Sequence, residues 1–269
     1  MPSTLCILLT FLLSTLAHAA DPHQRPFLAH PPQIRNATLS DTEAITTTWL
    51  SAFHDAPHWK YGYQFMDDYP QEHHDCMYEE IPKILNHADV VTQVTLLPNI
   101  SEPDLLAAVG VAVWVLPTAW REGDEGDGPG LLFASSSLVT CARTHCAHRD
   151  ANMTRVRDFD RQFNAARTAY LDACYPRQAQ LYLAGLAVHP DYQRHGAGSA
   201  LVNAGVAMGQ TAYTGENVTA TLIATEAGEP LYAHLGWQSL RNFTVWSLDV
   251  GENGEREGWR FDVMAKGLE

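Results

Sequence analysis

Apolar positions along the chain follow two rhythms, and the switches between them outline a fold. Residues 90–97 and 106–115 are β-branched runs separated by a polar turn with Pro98, Asn99 and Pro103, the signature of a hairpin. Residues 181–188 are small and apolar throughout, the pattern of a strand covered on both faces. Residues 218–224 form another such run, and 243–250 and 259–265 alternate as two closing strands. Helical spacing links Ala44, Ile45, Thr48, Trp49, Ala52 and Phe53, behind Ser40 and Asp41 as caps and after a short strand over 33–38. It returns at Phe159, Phe163, Ala166, Tyr170 and Ala173, and again at Leu201, Ala204, Gly205 and Met208. Residues 54–75, crowded with aromatics, histidines and acids and broken by Pro57 and Pro70, read as loop and short helix, and 81–86 closes a second helix.

The chain's start obeys neither rhythm. Residues 5–16 are almost unbroken apolar sequence, too short for the roughly 20 residues of a bilayer crossing. With Ala17 and Ala19 after it, the run reads as a signal peptide over 1–20, although its first residues carry no Lys or Arg. Five sequons follow, at Asn36, Asn99, Asn152, Asn217 and Asn242, out of nine asparagines in all. That is several times the chance expectation of about one, so glycosylation and a secreted or extracellular location are expected. Four cysteines remain after the leader: Cys76, Cys141, Cys146 and Cys174. An even number in an oxidising compartment points to disulfides, with Cys141–Cys146 as a small loop and Cys76–Cys174 as a long-range staple. Zinc at Cys141, His145, Cys146 and His148 is the weaker reading of that cramped patch, so no metal is expected.

Charge narrows the function. The 269 residues carry 17 Lys and Arg against 31 Asp and Glu, a net −14. No nucleic-acid partner and no membrane partner for the mature form fit that balance, because both surfaces are anionic. The field instead favours a cationic acceptor.

The chemistry concentrates after residue 180. His189, Pro190 and Asp191 break the strand, and Gln193, Arg194, His195, Gly196, Ala197 and Gly198 lead into a helix from Ser199. Strand, glycine-bearing turn and helix make an anion site: glycine admits close backbone approach, and the first helical N–H groups point outward unpaired. After the next strand, Pro230 suits a helix start and Gly236 a helix end, with Tyr232 between them.

Two patterns in this order carry a resemblance to the GNAT superfamily of acyl-CoA-dependent N-acetyltransferases, particularly fungal-type members. The first is Gln193, Gly196 and Gly198 behind the buried strand; the second is Leu231, Tyr232, Leu235, Gly236 and Trp237. The resemblance spans about 33–265. It implies an α/β fold of α+β type: a mixed, mostly antiparallel central sheet of about six to seven strands, flanked by helices and splayed at the CoA site. It further implies one domain over 21–269, with a cysteine-bearing insertion at about 117–178 as a candidate lid or homodimer contact. Acetyl-CoA is the implied co-substrate and a small-molecule or peptide amine the implied acceptor. Leu186, Ala187 and Val188 are expected along the pantetheine arm, and Gln193 to Ser199 (Arg194, His195, Gly196, Ala197 and Gly198 between them) at the pyrophosphate. Thr225 stands where many relatives have Asn. Tyr232 is the expected general acid, protonating the departing thiolate. The general base is left open among Asp67, Asp68, Glu72, His73 and His74, with His189 less favoured. A secreted binding protein that keeps the CoA cleft without turnover is the alternative.

Overall fold

A computed structural model describes residues 31–119, 147–251 and 253–268. Strand β1 (Gln33–Asn36) leads into helix α1 (Thr42–Phe53), then α2 (Pro57–Gly62) and α3 (Pro70–Leu85). Strands β2 (Val90–Pro98) and β3 (Leu106–Val115) make the expected hairpin, and α4 (Met153–Arg167) follows. The remainder runs β4 (Gln180–Val188), α5 (Ala197–Ala212), β5 (Thr219–Thr225), α6 (Glu229–His234), β6 (Gln238–Val250) and β7 (Arg256–Gly267). All seven strands join one sheet in the order β1-β2-β3-β4-β5-β7-β6. Every pairing is antiparallel except β4 with β5. This is the expected mixed sheet, flanked by helices on both faces.

Two apolar layers cover the sheet. Helices α1, α2, α3 and α4 close one face over an aromatic core with Trp49, Trp59, Tyr61 and Phe261. Helices α5 and α6 close the other over Trp114, Leu181, Leu201, Leu222 and Met264. On the second face, α5 lies unusually near the sheet because Gly205 faces the Trp114 ring. A Cβ at that glycine would stand 2.0 Å from the ring. A 3-10 turn, Leu39–Asp41, leads into α1; Thr38 and Asp41 form its capping box, and Arg35 reaches both carboxylate oxygens of Asp41, at 2.7 and 2.6 Å.

Three elements depart from the sequence pattern. Residues 54–75 hold more helix than their polarity suggests: α3 starts at Pro70 and runs through Pro82, burying His73, Cys76, Met77, Ile81 and Ile84. Helix α5 begins at Ala197, two residues ahead of Ser199, because Gly196 supplies a left-handed cap (φ 83°). The expected Cys76–Cys174 staple is not made, since Cys174 is a free, exposed thiol beyond the end of α4. Cys141 and Cys146 lie outside the described residues, as does the leader. Among the described residues, no helix is long and apolar enough to cross a membrane.

Candidate active site

Strands β4 and β5 stay together for only part of their length. Their parallel register runs from Gln180↔Thr219 to Leu183↔Leu222 and then ends. A bulge explains the divergence: β3 pairs Trp114 with Leu183 and Val113 with Gly185, leaving Ala184 without a partner. An extra residue in one strand bends it and increases its twist. Beyond the bulge, β4 follows β3 while β5 stays paired with β7 through Thr225.

The gap has a defined chemistry. His189 N donates to Val109 O at 2.9 Å, so His189 faces β3. Strand alternation then turns Ala187 towards β3 and the backbone groups of Leu186 and Val188 towards the open side. Thus the backbone groups of Leu186 and Val188 are open to the gap, whereas those of Ala187 are turned to β3. Gln193 is committed in part: its Nε2 donates to Val188 O at 3.1 Å and ties the turn to the strand end.

The turn itself is wound for close approach. Arg194 (φ 66°) and Gly196 (φ 83°) both take left-handed backbone, and only at glycine is that free of strain. The first intrahelical bond of α5 runs from Ala200 N to Gly196 O. The N–H groups of Ala197, Gly198 and Ser199 therefore precede the helical ladder and carry the positive end of a 16-residue helix dipole. Arg194 is exposed and His195 half-buried beside them. Gly198 is closely packed: a Cβ there would be 3.3 Å from Leu231 and 3.7 Å from Val188. The anion turn, the strand end and the start of α6 thus touch at one point.

The gap opens onto a cavity of about 200 Å³. Leu186, Thr225, Gly228 and Tyr232 line its sheet end. Thr225 is tied into the local turn, its Oγ1 accepting from Gly228 N at 3.2 Å. Tyr232 is 7% exposed, packs edge-on against Trp237 at 6.0 Å, and has its phenol pKa pushed far above the usual 10 by burial. Its hydroxyl is held protonated at any physiological pH.

The helical end of the cavity is aromatic: Trp49, Phe53, His58, Trp59, Tyr63 and Phe159 lead the lining. Trp59 stacks on Tyr63 at 4.5 Å and on Phe53 at 5.6 Å. A buried relay fixes that wall. Trp59 Nε1 donates to His73 Nε2 at 3.3 Å, leaving His73 Nδ1 to donate to Asp150 Oδ2 at 2.6 Å. The relay links α2, α3 and the approach to α4.

None of the base candidates read from sequence lines the cavity. His73 is spent in that relay. Asp67 pairs with His54 and Glu72 with Arg149; His74 contacts Glu43 and Asp75; Asp68 is exposed. His189 accepts from Asp191 N at the strand end. The cavity's histidine is His58, stacked on Phe159 at 5.9 Å and edge-on to Phe261 at 5.7 Å. Burial drops its pKa from 6.5 to about 4, so it is neutral at pH 7. Only its place directly after Pro57, at the start of α2, marked it in the sequence.

Comparison with known proteins agrees with this geometry. Residues 156–239 match the model of a family described as an acetyltransferase (GNAT) domain. Over that segment the chain matches a GNAT acetyltransferase domain. The matched segment contains the strand gap, the anion turn and Tyr232, and assigns the chain to the acyltransferases. A protein of Stachybotrys chartarum named acetyltransferase is 23% identical over 244 residues, 89% of this chain and 94% of that one. Among solved structures, a polyamine N-acetyltransferase from Drosophila melanogaster is 15% identical with a TM-score of 0.51, covering 87% of this chain and 99% of that one. An agmatine N-acetyltransferase is 14% identical with a TM-score of 0.52, covering 88% and 100%. At such identities these two share the fold with the GNAT domain and say nothing of its acceptor.

Proposed function

We propose that the protein is an acetyl-CoA-dependent N-acetyltransferase acting in the secretory pathway or outside the cell. The observation that carries the catalytic reading is a convergence: a split between parallel strands, a bare helix N-terminus and a buried tyrosine meet at one cavity. Acetyl-CoA supplies an activated acetyl thioester and a pyrophosphate. The N–H groups of Ala197 to Ser199, with Arg194 and His195, fit the pyrophosphate. The outward backbone groups of Leu186 and Val188 fit the amides of a pantetheine arm in the gap. Tyr232 stands where the thioester end would lie and gives its proton to the departing sulfur. Its raised pKa makes it a weaker acid than a free phenol, so it must donate directly onto a thiolate as that charge forms.

The acidic chain and an anionic co-substrate are reconciled locally. The dipole of α5 and two basic side chains oppose a global −14.

The compartment rests on the leader-like run, the sequons and their positions. Asn36, Asn217 and Asn242 are exposed, and Asn99 and Asn152 are half-buried. No sequon asparagine is buried, as glycan attachment requires.

Calorimetry of the secreted protein with acetyl-CoA, followed by turnover of Tyr232→Phe against an amine panel, tests the enzyme. Binding by both proteins is expected, with kcat about 100-fold lower in the variant. No binding overturns the reading. Binding without turnover in either protein identifies the cleft as a CoA-binding relic. Deglycosylation of the secreted protein should lower its mass; an unchanged mass sinks the glycoprotein assignment.

A further inference from the structure

The acceptor end of the cavity specifies a substrate class, an inference that rests on the acetyltransferase reading above. We infer that the acceptor is a small aromatic monoamine, its ring held against the wall that Trp59, His58, Phe159 and Phe261 form and its nitrogen directed towards Tyr232.

Three observations carry this. The first is lining chemistry: among the described residues, no Asp, Glu, Lys or Arg lines the cavity. Arg167 stacks on the Tyr182 ring at 4.3 Å and pairs with Asp172, and it is not part of the lining. A diamine or polyamine would bring a second ammonium into this space with no carboxylate to meet it, and an unpaired buried charge is strongly disfavoured. The second is shape. The walls are rings packed on one another at mixed angles: His58 lies nearly parallel to Phe159 (19°) and steep to Phe261 (74°). Such walls suit offset and edge-on contacts with a further ring. The third is size. About 200 Å³ lies below the roughly 300–1,000 Å³ of sites for drug-sized ligands. A one-ring or fused two-ring amine fills it; a peptide does not.

The reaction balances without another reagent. The amine enters as the free base, leaving its extra proton in solvent. Its nitrogen bonds to the thioester carbonyl carbon, and the carbon–sulfur bond breaks. The nitrogen gives up one proton to solvent, Tyr232 delivers one to the sulfur, and the phenolate takes one back from solvent, so amine and acetyl-CoA yield the N-acetylamine and the CoA thiol. The uncharged His58 imidazole, as part of the wall, does not repel an amine. The chain's −14 still draws ammonium ions towards the surface, but the selection occurs inside.

The test compares phenethylamine and tryptamine with spermidine and agmatine on the full secreted protein. Initial rates come from thiol release, and binding comes from quenching of protein fluorescence, since Trp49 and Trp59 line the cavity. The aromatic amines should exceed the polyamines at least about 10-fold in kcat/KM and saturate the quenching. Phe159→Leu should lower kcat/KM for tryptamine several-fold while leaving acetyl-CoA affinity unchanged. Preferential acetylation of spermidine or agmatine overturns the inference and leaves the acetyltransferase reading intact. Saturable quenching by aromatic amines without acetyl-CoA binding supports the pocket's class and sinks the enzyme. Acetyl-CoA binding with equal rates on both amine sets also overturns the inference.

Discussion

The two faces of the sheet are built on opposite rules. On the α5 face, small residues bring helix and sheet together until no room is left: Gly205 meets the Trp114 ring, and Gly209 would place a Cβ 2.5 Å from Leu181. On the α1–α4 face, large rings hold the helices apart around a cavity. The difference matches the roles proposed for the two faces. A pyrophosphate is held by backbone N–H groups, and backbone approaches a ligand only where side chains are absent. An acceptor with a ring needs walls rather than backbone, and rigid rings make walls at low entropic cost. The bulge at Ala184 joins the two faces, and Tyr232 stands at the junction.

Substitutions can break this comparison. The largest effect belongs to the junction: Tyr232→Phe should cut kcat about 100-fold in steady-state assays while the denaturation midpoint hardly moves, because only a hydroxyl is removed. On the packed face, Gly205→Ala should cost about 3 kcal/mol in urea unfolding, since the Trp114 ring has nowhere to yield. On the open face, Phe163→Leu should cost only about 1 kcal/mol, because a cavity already adjoins that ring. Equal costs for the two would erase the contrast.

Acid sharpens it. His58 titrates near 4 folded against 6.5 unfolded, so the unfolded chain binds the extra proton between those values. Stability should therefore fall as pH drops from about 6.5 to about 4, by up to about 3 kcal/mol. His58→Gln should flatten that slope in urea midpoints taken at pH 7.5, 5.5 and 4.5. A slope unchanged in the variant would place the acid sensitivity elsewhere.

The smallest effect concerns the cap of α4. Asn152 Oδ1 accepts from Thr154 N and Arg155 N, while the same residue opens a sequon. Asn152→Asp should keep the cap and lose the sequon, whereas Asn152→Ala loses both, about 1 kcal/mol apart in thermal unfolding. Identical melting of the two would show that the cap contributes nothing.

Legibility in the sequence followed the range of the interactions. The hairpin, the buried strand, the glycine turn and the capped helix with Tyr232 are each set within about ten consecutive residues, and each was readable. Residues 54–75 misled for a local reason: their charges mark the solvent side of α3 and the loops before it, so the acids that drew notice as bases lie outside the cavity. His58 escaped notice because a histidine after a proline has no motif, and its environment comes from α1, α2, α4 and β7. The cysteines misled in the choice of partner: Cys76 is disulfide-bonded, but not to Cys174. An even count favours pairing, yet Cys174 is exposed and unpaired, and distance in space decides a bridge.

By itself the sequence determined the order of strands and helices, the anion-binding turn and the tyrosine after it. These depend on hydrogen bonds and dihedral preferences between near neighbours. Only the tertiary structure decided that β4 and β5 part at Ala184, that the space between them is walled with rings and, among the described residues, carries no charged side chain, and that the histidine within it is His58. Those outcomes depend on side chains brought together from more than 200 residues of chain. Packing selects them, and no local pattern records which faces will meet.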